Sequence, residues 1–248
     1  MYLQLAGDLR ADIESGALPP GGALPSEHDL MERCGVSRAT VQKALSVLTS
    51  EGLITSGQGR RREVRRREPI VYRPQEELVK RAKNPEMDQF LTRFSSEGRE
   101  PRQDISVEVL VPPKFIAKRL DLAPDELAVV RRRLRFLDGR PSQVNDTYFP
   151  HGVVKDSEIV DPRDISRGAL RVLVDLGYEQ ARLLDETWIR MPSAEETDRL
   201  SLQSGTPVAE HIRTGYTSEG KPIRCAVTVL PGDVYVIAHE FDVPEDWE

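Results

Sequence analysis

The chain has 248 residues, of which 38% are hydrophobic, and its formal net charge at pH 7 is −6. This length accommodates two domains with their own cores, and the composition excludes a disordered or low-complexity chain. The sequence contains neither an apolar run long enough to span a membrane nor the basic start and apolar core of a signal peptide, so we expect a cytoplasmic protein.

The negative charge is unevenly distributed along the chain. Residues 1 to 68 carry ten of the 35 Lys and Arg and nine of the 41 Asp and Glu, a net charge of +1, which leaves −7 for the remaining 180 residues. Local placement of cations, rather than net charge, governs binding to phosphate. The overall acidity therefore does not exclude a nucleic-acid partner for the N-terminal part.

The first recognisable element in chain order is a short helix that begins after Ser26. The run from Ser26 to Asp29 is typical of a capping box, and Leu30, Met31 and Cys34 are available for the buried side of the helix. Gly35 can end the helix in a left-handed turn. The sequence thus predicts a helix of about two turns followed by a tight turn.

A second helix is predicted immediately afterwards, with Ser37 as its N-cap. Its apolar stripe is formed by Val41, Ala44, Leu45 and Leu48. The opposite face is polar, partly cationic and free of acidic residues; it includes Arg38, Thr40, Gln42 and Lys43. Two short helices joined by a tight turn predict a helix-turn-helix, whose second helix enters the major groove of DNA. There Arg38 would contact guanine and Gln42 adenine, while Ser37 and Thr40 suit phosphate contacts.

The helix pair is followed by a predicted hairpin with a basic tip. Leu53 to Thr55 and a return through Val64 flank a glycine-containing turn, and the run from Arg60 to Arg67 has six arginines against one glutamate. An arginine run alone more often indicates a solvated segment. Directly behind a helix-turn-helix, it favours a probe of the DNA backbone or minor groove.

The stretch LQLAGDLRADIESGALPPGGALPSEHDLMERCGVSRATVQKALSVLTSEGLI resembles the winged helix-turn-helix of the GntR family of bacterial transcription regulators. The resemblance implies that DNA is contacted by His28, Ser37, Arg38, Thr40, Gln42 and the wing glycine Gly59. Lys43, Arg60 and Arg61 are added as nearby cations on the helix face and in the wing. Relatives commonly have arginine at positions 28 and 42, so the operator sequence need not be theirs.

Beyond a linker predicted for residues 69–85, the pattern changes mostly to strands. The predicted strands are Val107–Val111, Ala128–Phe136, Gln143–Phe149, Leu183–Met191, Val208–Tyr216, Ile223–Leu230 and Tyr235–Phe241. The predicted helices are Lys114–Leu120, Gly168–Leu176 and Ala194–Leu200. Hairpin-linked strands with a few helices predict an α+β domain built on an antiparallel sheet.

This region is similar to the UTRA effector-binding domain of the HutC subfamily. The resemblance rests on FLTRFSSEGREP, RLRFLDGRP, Tyr148-Phe149-Pro150 and GKPIRCAVTVLPGDVYVIAHEF. It implies a chorismate lyase-like fold and an effector cleft in which Arg133 and Arg135 hold an anionic group. Leu91, Thr92 and Ser166 lie where the resemblance places backbone or hydroxyl donors to the effector. The resulting domain organisation is a winged helix-turn-helix in residues 1–68, a linker in 69–85, and an effector-binding and dimerisation domain in 86–248.

The arginine-rich strand also has a direct chemical interpretation. Alternate residues of a strand share a face, so Arg131, Arg133 and Arg135 line up and could clamp a phosphate or carboxylate. Pairing with acidic residues on neighbouring strands is the alternative. Relatives that bind amino-sugar phosphates have glutamates where this chain has Asn145 and Arg224, so we expect a different and more acidic effector here.

Two other functions compete with the ligand-responsive regulator. The second domain could serve only for dimerisation, or, since its fold family includes a lyase, it could be an enzyme. The scattered histidines and the lack of HExxH, GxSxG or a phosphate loop argue against an enzyme. Cys34 and Cys225 are predicted to be reduced structural thiols, and no metal or cofactor is predicted. The sequence favours a repressor that binds a palindromic operator as a homodimer.

Overall fold

The structure, a computed structural model, describes residues 1–55, 61–65, 69–78, 88–203 and 205–242. The chain forms two compact units. The first contains Met1–Val71, Leu202–Thr206 and Asp233–Val236; the second contains Tyr72–Ser201, Pro207–Gly232 and Ile237–Glu248. The candidate wing residues Gly59 and Arg60 lie outside the described residues.

The first unit is built on three helices: α1 (Tyr2–Glu14), α2 (Glu27–Cys34) and α3 (Arg38–Ser50). Ser26 and Asp29 form the predicted capping box at the start of α2, and Gly35 ends the helix with φ of 62°. Ser37 caps α3 by accepting from the backbone N–H of Thr40 at 3.3 Å. The local signals for both helices are therefore confirmed.

One apolar cluster holds the three helices together. The predicted stripe of α3 lies at its centre, and Val41, Ala44 and Leu48 are fully buried. Leu5, Ala6, Leu9 and Ile13 of α1 pack against it. Leu30 is the buried residue of α2, whereas Cys34 is exposed, which corrects its prediction as a structural thiol. A two-turn helix buries only its inward stripe, and Cys34 lies at its solvated end.

The wing consists of short antiparallel bridges. Ile54 pairs with Val64, and Ala23 pairs with Glu63. The segment 61–65 therefore lies between 21–24 and 53–55, with the N–H of Leu24 donating to the carbonyl of Arg62 at 2.9 Å. These contacts confirm a hairpin behind α3.

The remaining strands form two antiparallel sheets. A two-stranded sheet joins β1 (Ile70–Tyr72) and β8 (Tyr235–Ile237). The six-stranded sheet has the order β2-β3-β4-β7-β6-β5. Its strands are β2 (Pro101–Leu110), β3 (Ala128–Leu137), β4 (Arg140–Pro150), β5 (Arg182–Arg190), β6 (Val208–Tyr216) and β7 (Pro222–Pro231).

Helices cover both faces of the six-stranded sheet. They are α4 (Gln89–Ser96), α5 (Lys114–Arg119), α6 (His151–Val154), α7 (Ala169–Asp175) and α8 (Ala194–Arg199), with 3₁₀ turns at Pro74–Leu78 and Glu158–Val160. One apolar cluster packs α5 against Val130 and Tyr148. The other packs α6, α7 and the turn at Glu158–Val160 against Val129 and Phe149. The α+β prediction is confirmed.

Side-chain alternation and strand register together define a buried polar face. Arg131, Arg133 and Arg135 of β3 pair with Thr147, Asn145 and Gln143 of β4, and Asn145 and Thr147 pair with Thr228 and Ala226 of β7. On the same face of the sheet, the polar residues continue with His211 and Arg213 of β6 and with Asp185 of β5. We call this surface the polar face. It is the face that carries Val129 and Phe149 at its other end.

Three sequence-based boundaries need correction. The strand expected to begin at Val107 begins at Pro101, because the alternation of exposed and half-buried residues extends six residues further back. The strand expected to reach Phe241 ends at Ile237, so His239 is not in a strand. The expected linker contains a strand, Ile70–Tyr72, and a 3₁₀ turn, Pro74–Leu78, whose short lengths leave little periodicity to detect.

Candidate DNA-binding and effector-binding sites

The polar side chains of α3 point to solvent. Arg38, Gln42 and Lys43 are exposed and Thr40 is half-buried, all opposite the buried stripe. The N-terminal end of α3 has no acidic residue in its first turn. The helix therefore presents donors and a positive dipole end outward, which suits contact with base edges and phosphate.

Glu27 connects the first turn of α2 to the polar side chains of α3. Its carboxylate accepts from Arg38 Nε at 3.2 Å, from Gln42 Nε2 at 3.4 Å and from Arg62 Nη1 at 2.9 Å. The bond from Arg62 is the main cause that holds the pKa of Glu27 below its ordinary value. Glu27 thus aligns the two side chains that were predicted to read bases, one turn apart on α3.

The other candidate DNA contacts are more loosely held. His28 lies 3.3 Å from Glu32, and both side chains are exposed. Lys43 Nζ lies 5.9 Å from the ring centroid of Tyr2. Arg61 Nε donates to the carbonyl of Leu24 at 3.3 Å, which orients it along the wing. Ser37 is committed to the N-cap, and its hydroxyl lies 3.0 Å from that of Thr40.

The three arginines that share one face of β3 have different partners. Arg131 is fully buried and donates to the carbonyls of Ile159, Asp161 and Arg163, so it anchors the turn after the Glu158–Val160 segment. Arg135 donates to both carboxylate oxygens of Asp88, at 3.1 and 3.2 Å. Because Asp88 also caps α4, the Arg135 ion pair fixes the start of that helix.

Arg133 is the middle arginine, and its guanidinium has no carboxylate among the described residues within ion-pair distance. It is 8% exposed, its Nη1 lies 3.4 Å from Asn145 Oδ1, and its Nε has no hydrogen-bond partner in the described part of the chain. Burial lowers the pKa of Arg133 to about 10, with the charge of Arg135 adding to the effect. An anion brought next to this guanidinium would be bound in a low-dielectric environment.

A cavity of about 440 Å³ lies at the β2 edge of the polar face. Its lining residues are Leu91, Pro101, Arg102, Gln103, Ile105, Pro162 and Asp164. Ile105 is the register partner of Arg133, and Gln103 is that of Arg135 and accepts from its Nε at 3.3 Å. The cavity is open and large enough for a small metabolite.

The remaining effector candidates are distributed around this region. Leu91 lines the cavity, and Thr92 is the next residue of α4. Asn145 joins Arg133 to Thr228, to whose hydroxyl it donates at 2.9 Å. Ser166 is exposed and follows the turn that Arg131 anchors. These residues remain predictions as effector contacts.

Arg224 lies further along β7 and is paired with a residue that sequence reasoning missed. Both its Nη atoms bond the carboxylate of Glu77, whose Oε2 also accepts from Arg213 Nη1 at 2.8 Å. Burial alone would raise the pKa of Glu77, but the charges of Arg224 and Arg213 outweigh it and hold the pKa at about 2. Nothing in the local sequence around Glu77 indicates this contact, because the partners are more than 130 residues away.

The described residues contain neither a metal-binding cluster nor a membrane-spanning helix. In the part of the chain that the structure describes, no group of three His, Cys, Asp or Glu side chains is arranged to hold a metal ion. The helices of that same part include none long and apolar enough to cross a membrane.

The first unit has three helices, a wing and an exposed cationic recognition helix. The same chain continues into an antiparallel sheet with a buried polar face. This combination defines a DNA-binding transcription regulator with an effector domain. Residues 1–64 match the family described as bacterial regulatory proteins, gntR family, and residues 96–236 match the UTRA domain. The chain belongs to the GntR family and carries a UTRA domain of the HutC type.

Individual relatives agree with this assignment. The chain is 30% identical over 252 residues to an uncharacterized HTH-type transcriptional regulator of Streptomyces coelicolor, a match that covers 98% of this chain and 93% of the relative. It is 26% identical to the mannosyl-D-glycerate transport/metabolism system repressor MngR of Escherichia coli, covering 95% and 93%. A crystal structure of a GntR-family transcriptional regulator matches with a TM-score of 0.65 at 26% identity, covering 98% of both chains. These matches are to regulators, and the enzyme alternative is set aside.

Proposed function

We propose that the protein is a ligand-responsive repressor that binds a palindromic operator as a homodimer and is modulated by a small anionic metabolite. Residues 1–68 would read DNA, residues 69–85 would link, and residues 86–248 would bind the effector and dimerise. Because operator DNA lies in the cytoplasm of a bacterium, we propose that location. The name of the relative MngR as a repressor supports the direction of regulation.

The observation that carries the ligand proposal is the buried guanidinium of Arg133, which has no carboxylate partner among the described residues and whose register partner Ile105 lines an open cavity. Burying a charge without a partner is costly, so proteins rarely do so outside functional sites. A carboxylate or phosphate in the cavity could reach Arg133 past Ile105, while Asn145 and Thr228 offer neutral polar contacts. Dimerisation alone does not require a buried guanidinium that has no carboxylate partner among the described residues.

The proposed DNA contacts follow from α3. Arg38 and Gln42 would enter the major groove, aligned by Glu27, while Ser37, Thr40 and Lys43 would face phosphates. His28, Arg61 and the wing residues Gly59 and Arg60 would contact the flanking backbone. One such helix reads only a few base pairs, so two half-sites are needed for useful affinity and specificity.

The two edges of the six-stranded sheet differ in a way that supports dimerisation through β5. The exposed residues of edge strand β2 include Arg102, Asp104 and Glu108, which discourage edge pairing. The β5 edge instead exposes Trp188 by 57% and Ile189 by 72%.

Three of the four charged residues of β5 form ion pairs within the described residues. Asp185 bonds Arg213, Glu186 bonds Arg119, Arg190 bonds Glu196 and Glu210, and Arg182 lies over the ring of Tyr216. Among the described residues, Arg182 is the one charge of β5 without a carboxylate partner, so the edge offers little to a charged partner. A second copy, which brings the same apolar and largely ion-paired edge, is the occupant we propose.

The test is a gel-shift titration with DNA from upstream of the protein's own gene, at two salt concentrations, with and without a panel of phosphorylated and carboxylated metabolites. We expect specific binding that at least one anionic compound abolishes. The response should disappear in Arg133→Gln and persist in Arg140→Gln, which changes the exposed arginine that begins β4. Specific DNA binding that no compound changes would favour a second domain that only dimerises.

A further inference from the structure

The polar face contains a second pair of arginines that already holds an anion. Arg213 and Arg224 are 4% and 6% exposed and grip the carboxylate of Glu77 between them. Both Nη atoms of Arg224 contact that carboxylate, which is the geometry with which guanidinium recognises a carboxylate or phosphate. An acidic side chain of the protein itself thus occupies the site between these two arginines.

The two arginines depend on Glu77 to different extents. Arg213 also bonds both carboxylate oxygens of its register partner Asp185, at 2.7 Å each. In the described residues, the only carboxylate within ion-pair distance of Arg224 is that of Glu77. Removing Glu77 alone would leave the buried charge of Arg224 uncompensated, which is strongly unfavourable. Glu77 can therefore leave only if another anion takes its place.

Glu77 does not belong to the sheet but to the short Pro74–Leu78 turn that follows β1. Besides the Glu77 ion pairs, contacts that hold this turn to the rest of the second unit include a hydrogen bond from Arg213 Nη1 to the carbonyl of Pro74 at 2.6 Å and the pairing of Arg93 with Glu76 at 3.2 Å. A five-residue 3₁₀ turn has little stability of its own. Exchange of Glu77 for a ligand anion would consequently release the turn rather than unfold the sheet.

The site also offers a donor that Glu77 leaves unused. The Nε atom of Arg224 is buried and has no hydrogen-bond partner within the described residues. A phosphate or carboxylate that approaches side-on could accept from this N–H together with one Nη atom. A ligand anion could therefore make one hydrogen bond to Arg224 that Glu77 does not make.

We propose that Arg213 and Arg224 form a second anion-binding site, filled by Glu77 in the absence of ligand, and that a carboxylate or phosphate of the effector displaces Glu77 and frees the Pro74–Leu78 turn. This proposal rests on the proposed effector function of the second domain. It predicts an effector with two anionic groups, one for Arg133 and one for Arg224. The displaced turn lies in the segment proposed to link the two domains, so ligand exchange would change the freedom of that segment.

The test measures anion binding by full-length protein variants, with inorganic phosphate, succinate and citrate as probes in isothermal titration calorimetry. In Glu77→Gln the competing charge is gone, so we expect these anions to bind about tenfold or more tightly than in the unmodified protein, since apparent affinity scales with the fraction of open site. Glu76→Gln is the matched control: it removes the same charge from the same turn, but its partner is Arg93. It should leave the affinity unchanged.

Hydrogen exchange of the unmodified protein provides a readout that does not depend on a variant folding. Saturating probe should speed exchange of the amides of residues 75–78 in the unmodified protein, and a folded Arg224→Gln variant should show no such change. Equal probe affinity in Glu77→Gln and Glu76→Gln, or protection of residues 75–78 unchanged by bound probe, would overturn the proposal. If Arg133→Gln abolishes the ligand response but these two results are negative, the effector function stands and the Glu77 exchange fails. If Arg133→Gln keeps the response while both results are positive, the exchange stands and the role of Arg133 fails.

Discussion

Replacing Arg133 by methionine should stabilise the protein while removing its ligand response. Arg133 is buried without a carboxylate partner in the described structure, and burial lowers its pKa from the ordinary arginine value to about 10. At 1.36 kcal/mol for each pH unit, this corresponds to roughly 3 kcal/mol by which the fold disfavours the charged form. Methionine has a similar length and no charge to bury.

The expected gain is smaller than that figure, because Arg133→Met also loses the contact with Asn145. Replacing buried charges by apolar residues of similar volume stabilises proteins by roughly 1 to 4 kcal/mol. For a domain of this size, about 1 kcal/mol corresponds to a rise of roughly 2–4 °C in Tm. Taking a gain of about 1–2 kcal/mol at the lower end of that range, we expect Tm to rise by about 2–8 °C.

The assay is thermal unfolding followed by calorimetry, with Arg132→Met as the matched control. Arg132 precedes Arg133 in the same strand, but it lies on the opposite face and pairs with Asp146, a buried carboxylate whose pKa is raised by burial. Arg132→Met would leave that buried carboxylate without its cationic partner and should therefore lower Tm. If Arg133→Met lowers Tm as much as Arg132→Met, the guanidinium of Arg133 is a structural group, and the inference of a ligand site from its isolation is refuted.

Three further predictions use the same reasoning. Arg131→Met should destabilise the protein by about 2–4 kcal/mol in denaturant unfolding, because it leaves the carbonyls that Arg131 satisfies without donors; an unchanged midpoint would contradict its anchoring role. Arg38→Ala should cost about 1–3 kcal/mol in gel shifts on the specific operator if it reads guanine; an equal loss on random DNA would make it a phosphate contact. Trp188→Glu should give monomers in sedimentation velocity, whereas Val109→Glu, at the 50% exposed β2 position, should leave dimers; dimers in both would exclude the β5 interface.

The local structure of the helix-turn-helix could be predicted in detail. Ser26, Gly35 and Ser37 determine where α2 and α3 begin and end, because capping depends on residues three or four positions apart. The apolar stripe of α3 depends on the same short range. The role of α1 and the hub formed by Glu27 were not predicted, since Glu27 bonds Arg62 across 35 residues.

In the second domain, alternation correctly placed the three odd-numbered arginines of β3 on one face, but it treated them as equivalent. Their differences come from segments that approach from elsewhere in the chain: the turn at residues 159–163 covers Arg131, and Asp88 meets Arg135. Arg133 was left between them without a carboxylate among the described residues. A strand pattern contains no information about which loop will cover it.

The sequence by itself determined the family, the recognition helix with its caps, the antiparallel character of the second domain and the shared face of its arginines. These features depend on residue types and on spacings of a few positions, so they can be read directly from neighbouring residues in the sequence. Only the tertiary structure decided which charges are paired: Glu27 with Arg38 and Arg62, and Glu77 with Arg213 and Arg224. Ion pairs depend on distances of a few ångströms between residues far apart in sequence, and only the folded chain sets those distances.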